Sequence, residues 1–228
     1  MSETVSRRKI GLFGGSFDPV HEGHEHVCRV AREKLGLDAV WVLVSPQNPL
    51  KKNKSTELHH RLAMCNLMTA PHADWLKVVD ETPYYTSQTI DTLDALRAEY
   101  PDVDFVWIMG ADNLVHFHEW ARWQEIIDNH AIAIISRPGE GEQANESEAA
   151  RHAASIRTDN ADDLFKAHRG WYLIENELCE FESRKIRHAW RTGERNIKGL
   201  PQAVENYMVQ NGLYPDNPPA SPPAPPQI

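Results

Sequence analysis

Cysteine is scarce in this chain. Three stand among 228 residues, Cys28, Cys65 and Cys179, odd in number and far apart. No CxxC pair and no disulfide framework can be built from them, and a reducing compartment is the simplest setting. Long apolar runs are missing too. No stretch approaches the roughly 20 residues that a membrane-spanning helix needs. The opening residues, MSETVSRRK, contain no apolar segment fit for a secretory signal. The expectation is a cytoplasmic protein. Positive charge is also in short supply: 24 Lys and Arg against 33 Asp and Glu leave a formal charge of −9. A general nucleic-acid binder would carry a basic stripe, so neither nucleic acid nor a membrane is expected as a partner. A small anionic ligand is still open, because a local cluster of donors can hold phosphate inside an acidic protein.

What is present is an alternation of short apolar runs and longer amphipathic ones. Lys9–Gly14, Ala39–Val44, Trp75–Val79, Phe105–Met109, Ile132–Ile135 and Trp171–Ile174 read as strands. Gly23–Leu35, Thr56–Thr69 and Thr86–Glu99 read as helices, the last stopped by Pro101. Strands alternating with helices of this length imply βαβ units on a parallel sheet. Right-handed crossovers then give an α/β, Rossmann-like doubly wound sheet with C-terminal helices. Residues 1–214 are expected to form one domain. The polar stretch from Pro138 to Arg169 reads as an exposed excursion with one short helix. The proline-rich end, 215–228, cannot build a core and reads as a disordered or extended tail.

The chemistry concentrates in Gly14–His24, GGSFDPVHEGH. It is neither GxGxxG nor the lysine-bearing P-loop. Gly14 and Gly15 would let the backbone turn sharply and approach a ligand, and Asp18-Pro19 reads as a rigid turn. The helix that follows would favour an anion at its start, and Ser16 could add a hydroxyl. His21 and His24, three apart, would share one face and could donate to phosphate oxygens. Two other readings compete: a plain strand–helix turn with surface histidines, and a zinc site using His21, His24 and His26. The second lacks the i, i+4 pair of HExxH.

In this strand–helix context the eleven residues resemble the GxFDPxHxGH signature of the HxGH nucleotidyltransferases. Further segments are similar to bacterial nicotinate-nucleotide adenylyltransferases: Ser45–Lys51 (SPQNPLK), Arg61–Cys65 (RLAMC), Thr82–Leu93 (TPYYTSQTIDTL), Met109–Trp123 (MGADNLVHFHEWARW), Ser136–Gly139 and Gly212–Tyr214. A later stretch, Phe181–Arg187 (FESRKIR), matches the family's ISSTxIR at Ser183, Ile186 and Arg187. It departs at Glu182 for serine and Arg184 for threonine. Ser183 reads as the cap of a helix through Arg191 with Gly193 as its stop.

The resemblance implies transfer of AMP from ATP to nicotinate mononucleotide, forming deamido-NAD and pyrophosphate in NAD biosynthesis. It implies Mg2+ as cofactor, carried on the ATP phosphates, and no protein-bound metal. His21, His24 and Arg187 would be catalytic. Gly14, Gly15, Ser16, Phe17, Ser183 and Arg184 would surround the ATP phosphates. Lys51, Thr86, Asp112 and Trp120 would take the mononucleotide. The residues themselves leave plainer readings open. Thr86 and Asp112 could be only helix caps, Trp120 and Trp123 only core indoles, and Lys51–Lys54 only a solvated basic loop. Two other functions also stay open: transfer to nicotinamide mononucleotide, and a non-catalytic nucleotide-binding module. A metal-storage or scaffold role for the histidines is a third class.

Overall fold

Seven parallel strands form one twisted sheet, and helices cover both of its faces. The structure is a computed structural model, and it describes residues 7–46, 55–81, 84, 88–136, 141–176 and 181–215. The strands are β1 (Arg8–Gly15), β2 (Ala39–Val44), β3 (Leu76–Asp80), β4 (Val103–Gly110), β5 (Ala131–Ser136), β6 (Arg157–Thr158) and β7 (Gly170–Glu175). Their spatial order is β3-β2-β1-β4-β5-β7-β6, and every neighbouring pair is parallel. The chain leaves β1 toward one side and returns at β4 on the other. The C-terminal ends of β1 and β4 therefore flank a topological switch point, where such sheets hold ligands. This is the doubly wound fold expected from the sequence.

Strand periodicity builds two cores. Val40, Val42 and Val44 of β2 face one side with Phe13 of β1 and Val106 and Ile108 of β4. Leu43 faces the other side with Ile10, Leu12, Trp107 and Met109. Both faces are apolar, so the strands read as continuous apolar runs. The first face is covered by α1 (Glu22–Leu35), α2 (Leu58–Thr69), α8 (Ala161–Ala167), α9 (Ser183–Arg191) and α10 (Gln202–Gln210). The second lies under α3 (Thr89–Glu99), α4 (Ala111–Val115), α5 (Trp123–Asn129), α6 (Gly141–Asn145) and α7 (Glu148–His152). On α3 the stripe Ile90, Leu93 and Leu96 is buried, each side chain contributing about 1.5–3 kcal/mol.

Three expectations need correction. The stretch from Pro138 to Arg169 is not an exposed excursion with one helix. Its described part contains α6, α7, α8 and β6, and buries Ala144, Ala149, Ala150, Ala153, Leu164 and Phe165. Its core side is made of alanines, whose small apolar area was outweighed in the sequence by the charged residues on the outer side. Second, α2 begins at Leu58 rather than Thr56. The Thr56 amide donates instead to Asp18 Oδ2 at 3.3 Å, and its carbonyl accepts from Arg61. Tertiary bonds withhold it from the helix. Third, α3 is described from Thr89, capped by Gln88 in extended conformation. Thr86 lies outside the described residues, as do Lys51 and the tail from residue 216.

Two stability predictions arise from the sheet. Gly170 opens β7 at φ +85°, and a Cβ there would overlap the Ile156 carbonyl oxygen. Gly170→Ala should cost at least about 2 kcal/mol, from left-handed strain plus the clash, read as a lowered urea midpoint. His130 precedes β5 and is 8% exposed, with Nε2 3.1 Å from Asp94 Oδ1. Burial pulls its pKa down to about 4, and Arg97 adds to the effect. The unfolded chain then binds the proton more readily than the folded one. Stability should be full above pH 6.5 and fall toward pH 4, by up to about 3 kcal/mol. In His130→Asn that part of the fall should disappear when melting is compared from pH 7 to pH 4.

Candidate active site

β1 runs straight through both glycines of the N-terminal motif. Gly14 pairs with Leu43 and Gly15 with Val44. The sharp turn expected at Gly14-Gly15 falls later, at Phe17 (φ +46°) and the cis peptide Asp18-Pro19. The glycines serve close packing instead. A Cβ on Gly14 would overlap the Trp107 indole, and one on Gly15 would sit 3.0 Å from the Phe17 ring. Phe17 is buried, its ring edge-on to Phe13 and to His24.

α1 begins directly after this turn. His21 is its N-cap and is buried, while His24 is half-buried. Their rings stack with centroids 3.7 Å apart. The His21 amide donates to His24 Nδ1 at 3.1 Å. A ring nitrogen that accepts carries no proton, so the neutral His24 ring holds its proton on Nε2, as a donor. The backbone at the helix start offers less than the sequence suggested. The Glu22 amide donates to the Gly199 carbonyl at 2.8 Å, and the His24 amide to the His21 carbonyl at 2.9 Å. His26 turns elsewhere: its Nδ1 lies 2.9 Å from Arg29 and its Nε2 2.7 Å from the Asn176 amide. Among the described residues no three His, Cys, Asp or Glu side chains converge as a metal cluster.

The second motif docks onto the first across more than 160 residues of sequence. Ser183 Oγ donates to the Pro19 carbonyl at 2.9 Å, and Arg187 Nη1 donates to the Asp18 carbonyl. Ser183 is the first residue of α9; its cap is Glu182. The serine cap expected there is thus a cross-motif tie. Glu182, the residue that departs from the family, is met by Lys185 at 2.7 Å and by Arg184 at 3.4 Å. Arg184 is largely exposed. The inserted carboxylate is matched by cations of its own helix, each exposed pair contributing about 0–1 kcal/mol.

A third tie comes from the end of the described chain. Tyr214 Oη donates to Asp18 Oδ1 at 2.6 Å. Burial, then the Asp18 carboxylate, pushes the Tyr214 hydroxyl well above its usual pKa. Asp18 is thus held from three directions, by Tyr214, Arg187 and the Thr56 amide.

Beyond the other lip of the switch point, Gly110 caps α4, and Asp112 lies exposed in its first turn. The cap role open for Asp112 therefore belongs to Gly110. The absence of a Cβ on Gly110 leaves room for Asp112 Oδ1. Trp120 is half-buried, edge-on to Phe117 at 5.2 Å and to Trp107 at 6.5 Å. Trp123 packs on Phe117 and His152. Trp107 thus touches both Gly14 and Trp120, joining the N-terminal motif to the aromatic side. Arg122 donates to Asp91 of α3 at 2.7 Å and to Glu125, fixing the Trp120 segment against α3.

Sequence reasoning missed two buried polar groups here. Arg61 is 1% exposed, and Glu81 follows β3 at 7%. Burial raises the Glu81 pKa, against hydrogen bonds from Ser45 and Thr92. Glu81 belongs to no motif, and Arg61 was marked only as the first residue of the family-like segment Arg61–Cys65, with no role attached to it.

Residues 12–189 match the family model described as cytidylyltransferase-like. A probable nicotinate-nucleotide adenylyltransferase of Cereibacter sphaeroides is 41% identical over 186 residues, covering 80% of this chain and 97% of the relative. One from Roseobacter denitrificans is 49% identical over 182 residues, 78% of this chain and 90% of the relative. The solved structure of Plasmodium falciparum nicotinic acid mononucleotide adenylyltransferase complexed with NaAD superposes with a TM-score of 0.67. It covers 91% of this chain and 97% of its own, at 20% identity, a likeness of fold. With relatives this similar along nearly their whole length, the chain belongs to the cytidylyltransferase-like family and, within it, to the nicotinate-nucleotide adenylyltransferases.

Proposed function

We propose that this chain transfers AMP from ATP to nicotinate mononucleotide, yielding deamido-NAD and pyrophosphate. The observation that carries this reading is the docking of Ser183 and Arg187 onto Pro19 and Asp18, which gathers both phosphate motifs around the stacked His21 and His24. The names of the relatives supply the substrate class.

The mononucleotide's phosphate oxygen attacks the α-phosphorus of ATP. A new P–O bond forms, the α–β bridging P–O bond breaks, and pyrophosphate leaves with the electron pair. The attacking oxygen is already anionic, so no general base and no covalent enzyme intermediate are needed. The protein contributes orientation and charge stabilisation. His24 Nε2 donates to the polyphosphate, as do His21 and the N–H groups of Arg187 beyond the one on Asp18. The loop Gly14–Phe17 and the start of α9, with Ser183 and Arg184, frame the same phosphates. On the far lip, Trp120 offers an aromatic wall for the pyridine ring, and Asp112 lies at the end of β4. Lys51 and Thr86 belong to the mononucleotide side of the same reading.

ATP is taken as its magnesium complex. Magnesium bound with ATP would supply charge neutralisation on the polyphosphate; the Asp18 carboxylate of the loop already accepts from Tyr214 and the Thr56 amide. The setting is the reducing cytoplasm, in keeping with Cys28 and Cys65 as free, buried thiols. Among the described residues no helix is long and apolar enough to cross a membrane. The test is ATP labelled at the α-phosphorus, incubated with nicotinate mononucleotide and magnesium. The label should move into a dinucleotide in step with pyrophosphate release. Label bound covalently to protein, or released as AMP alone, would sink the direct-transfer mechanism.

A further inference from the structure

Arg61 stands on α2, away from both phosphate motifs in sequence, yet its side chain is among the largest wholly buried ones. Its guanidinium meets four backbone carbonyl oxygens on three separate segments. Nε donates to Thr56 at 2.7 Å. Nη1 donates to Ser16 at 3.0 Å and to Ser45 at 2.6 Å. Nη2 donates to Pro46 at 2.6 Å. Four of the five N–H groups of arginine are thereby used. Burial pulls the guanidinium pKa down, and the Asp18 carboxylate opposes that pull.

A buried cation is costly unless its donors are matched. Here the matching groups are carbonyls that leave the C-terminal ends of β1 and β2, together with the residue that leads into α2. Ser16 belongs to the phosphate loop. Pro46 and Thr56 flank in sequence the segment that carries Lys51. The apolar seat of α2 is made separately, by Met64, Cys65 and Met68. A planar fork is the only side chain that can satisfy carbonyls in these separate directions, and a lysine point charge cannot.

We propose that Arg61 is a positioning residue for adenylyl transfer. It sets the spacing between the N-terminal loop at Ser16 and the chain at Ser45–Pro46 and Thr56, so that the attacking oxygen and the α-phosphorus are aligned. This rests on the adenylyltransferase reading above. Misalignment of reactants by about 1 Å costs on the order of 100-fold in rate.

The test is Arg61→Lys, which keeps the charge and loses the fork. Its kcat should fall about 100-fold, while the dissociation constants for ATP alone and for nicotinate mononucleotide alone stay within about threefold of wild type. A folded variant with kcat within threefold of wild type would overturn the proposal. So would one whose loss lies wholly in substrate affinity. Wild-type protein inactive with every mononucleotide would instead defeat the functional reading itself. Should Arg61→Lys not fold, amide hydrogen exchange in the wild type decides. Either substrate alone should slow exchange at Ser16, Ser45 and Thr56 together. Slowing confined to one substrate's own segment would contradict the coupling.

Discussion

Replacing His24 by asparagine should lower turnover by about 10²–10³-fold, the usual cost of losing one preorganised donor to a developing negative charge. Asparagine is the informative replacement. Its side-chain oxygen reaches the position of His24 Nδ1 and can accept from the His21 amide, the bond that closes the start of α1 at 3.1 Å. What it cannot supply is the Nε2 donor. The melting temperature should therefore move little while kcat collapses. His24→Ala removes both groups and should add about 1 kcal/mol of lost stability. Steady-state pyrophosphate release and thermal melting on both variants separate the two roles. If His24→Asn keeps more than a fifth of wild-type turnover, the imidazole is a structural cap, and the histidine stack is not the phosphate-binding element.

The largest effect on stability is expected at Phe117. It is wholly buried and meets Trp120 edge-on at 5.2 Å and Trp123 at 6.4 Å. Phe117→Ala should cost about 3–5 kcal/mol through lost apolar burial and an unfilled cavity. In a chain of this length that lowers the melting temperature by roughly 6–20 °C. The same substitution takes away the wall behind Trp120. KM for the mononucleotide should rise several-fold while KM for ATP is nearly unchanged, because the phosphate loop packs on Phe13 and Trp107 instead. Phe117→Leu should restore most of both quantities, since it keeps apolar volume at the site. An unchanged mononucleotide KM in a folded Phe117→Ala protein would remove Trp120 from the pyridine site.

Much of this was legible before any coordinates. The strands could be read because a sheet covered on both faces needs unbroken apolar runs, and Ala39–Val44 is one such run to the residue. The helix Ser183–Arg191, with Gly193 at φ +90° just beyond it, was equally plain. Beside the alanine-lined stretch after Pro138, several errors share one physical cause: contacts with other parts of the chain. Gly14 and Gly15 signalled a turn, but their missing side chains make room for Trp107 and Phe17, and the turn is shifted to Phe17–Pro19. Thr56 looked like the start of a helix, yet Asp18 and Arg61 claim its backbone. Ser183 looked like a cap, and its hydroxyl reaches Pro19, 164 residues away. Arg61 stood out only as part of the family-like segment Arg61–Cys65, and its role could not be read, because its partners are main-chain carbonyls that carry no sequence signature. Glu182 stood out as a departure from the family's serine, and its own helix supplies Lys185 and Arg184 beside it.

In the proposed function, the N-terminal loop, the second motif and the aromatic lip together carry AMP transfer to a pyridine mononucleotide. The most direct measurement compares kcat/KM for nicotinate and nicotinamide mononucleotides on the wild-type protein, with saturating ATP and magnesium. The nicotinate substrate should be preferred by at least tenfold. Equal use of the two, or a preference for the nicotinamide form, would contradict the account of the acceptor, and no turnover with either would contradict the enzyme reading itself.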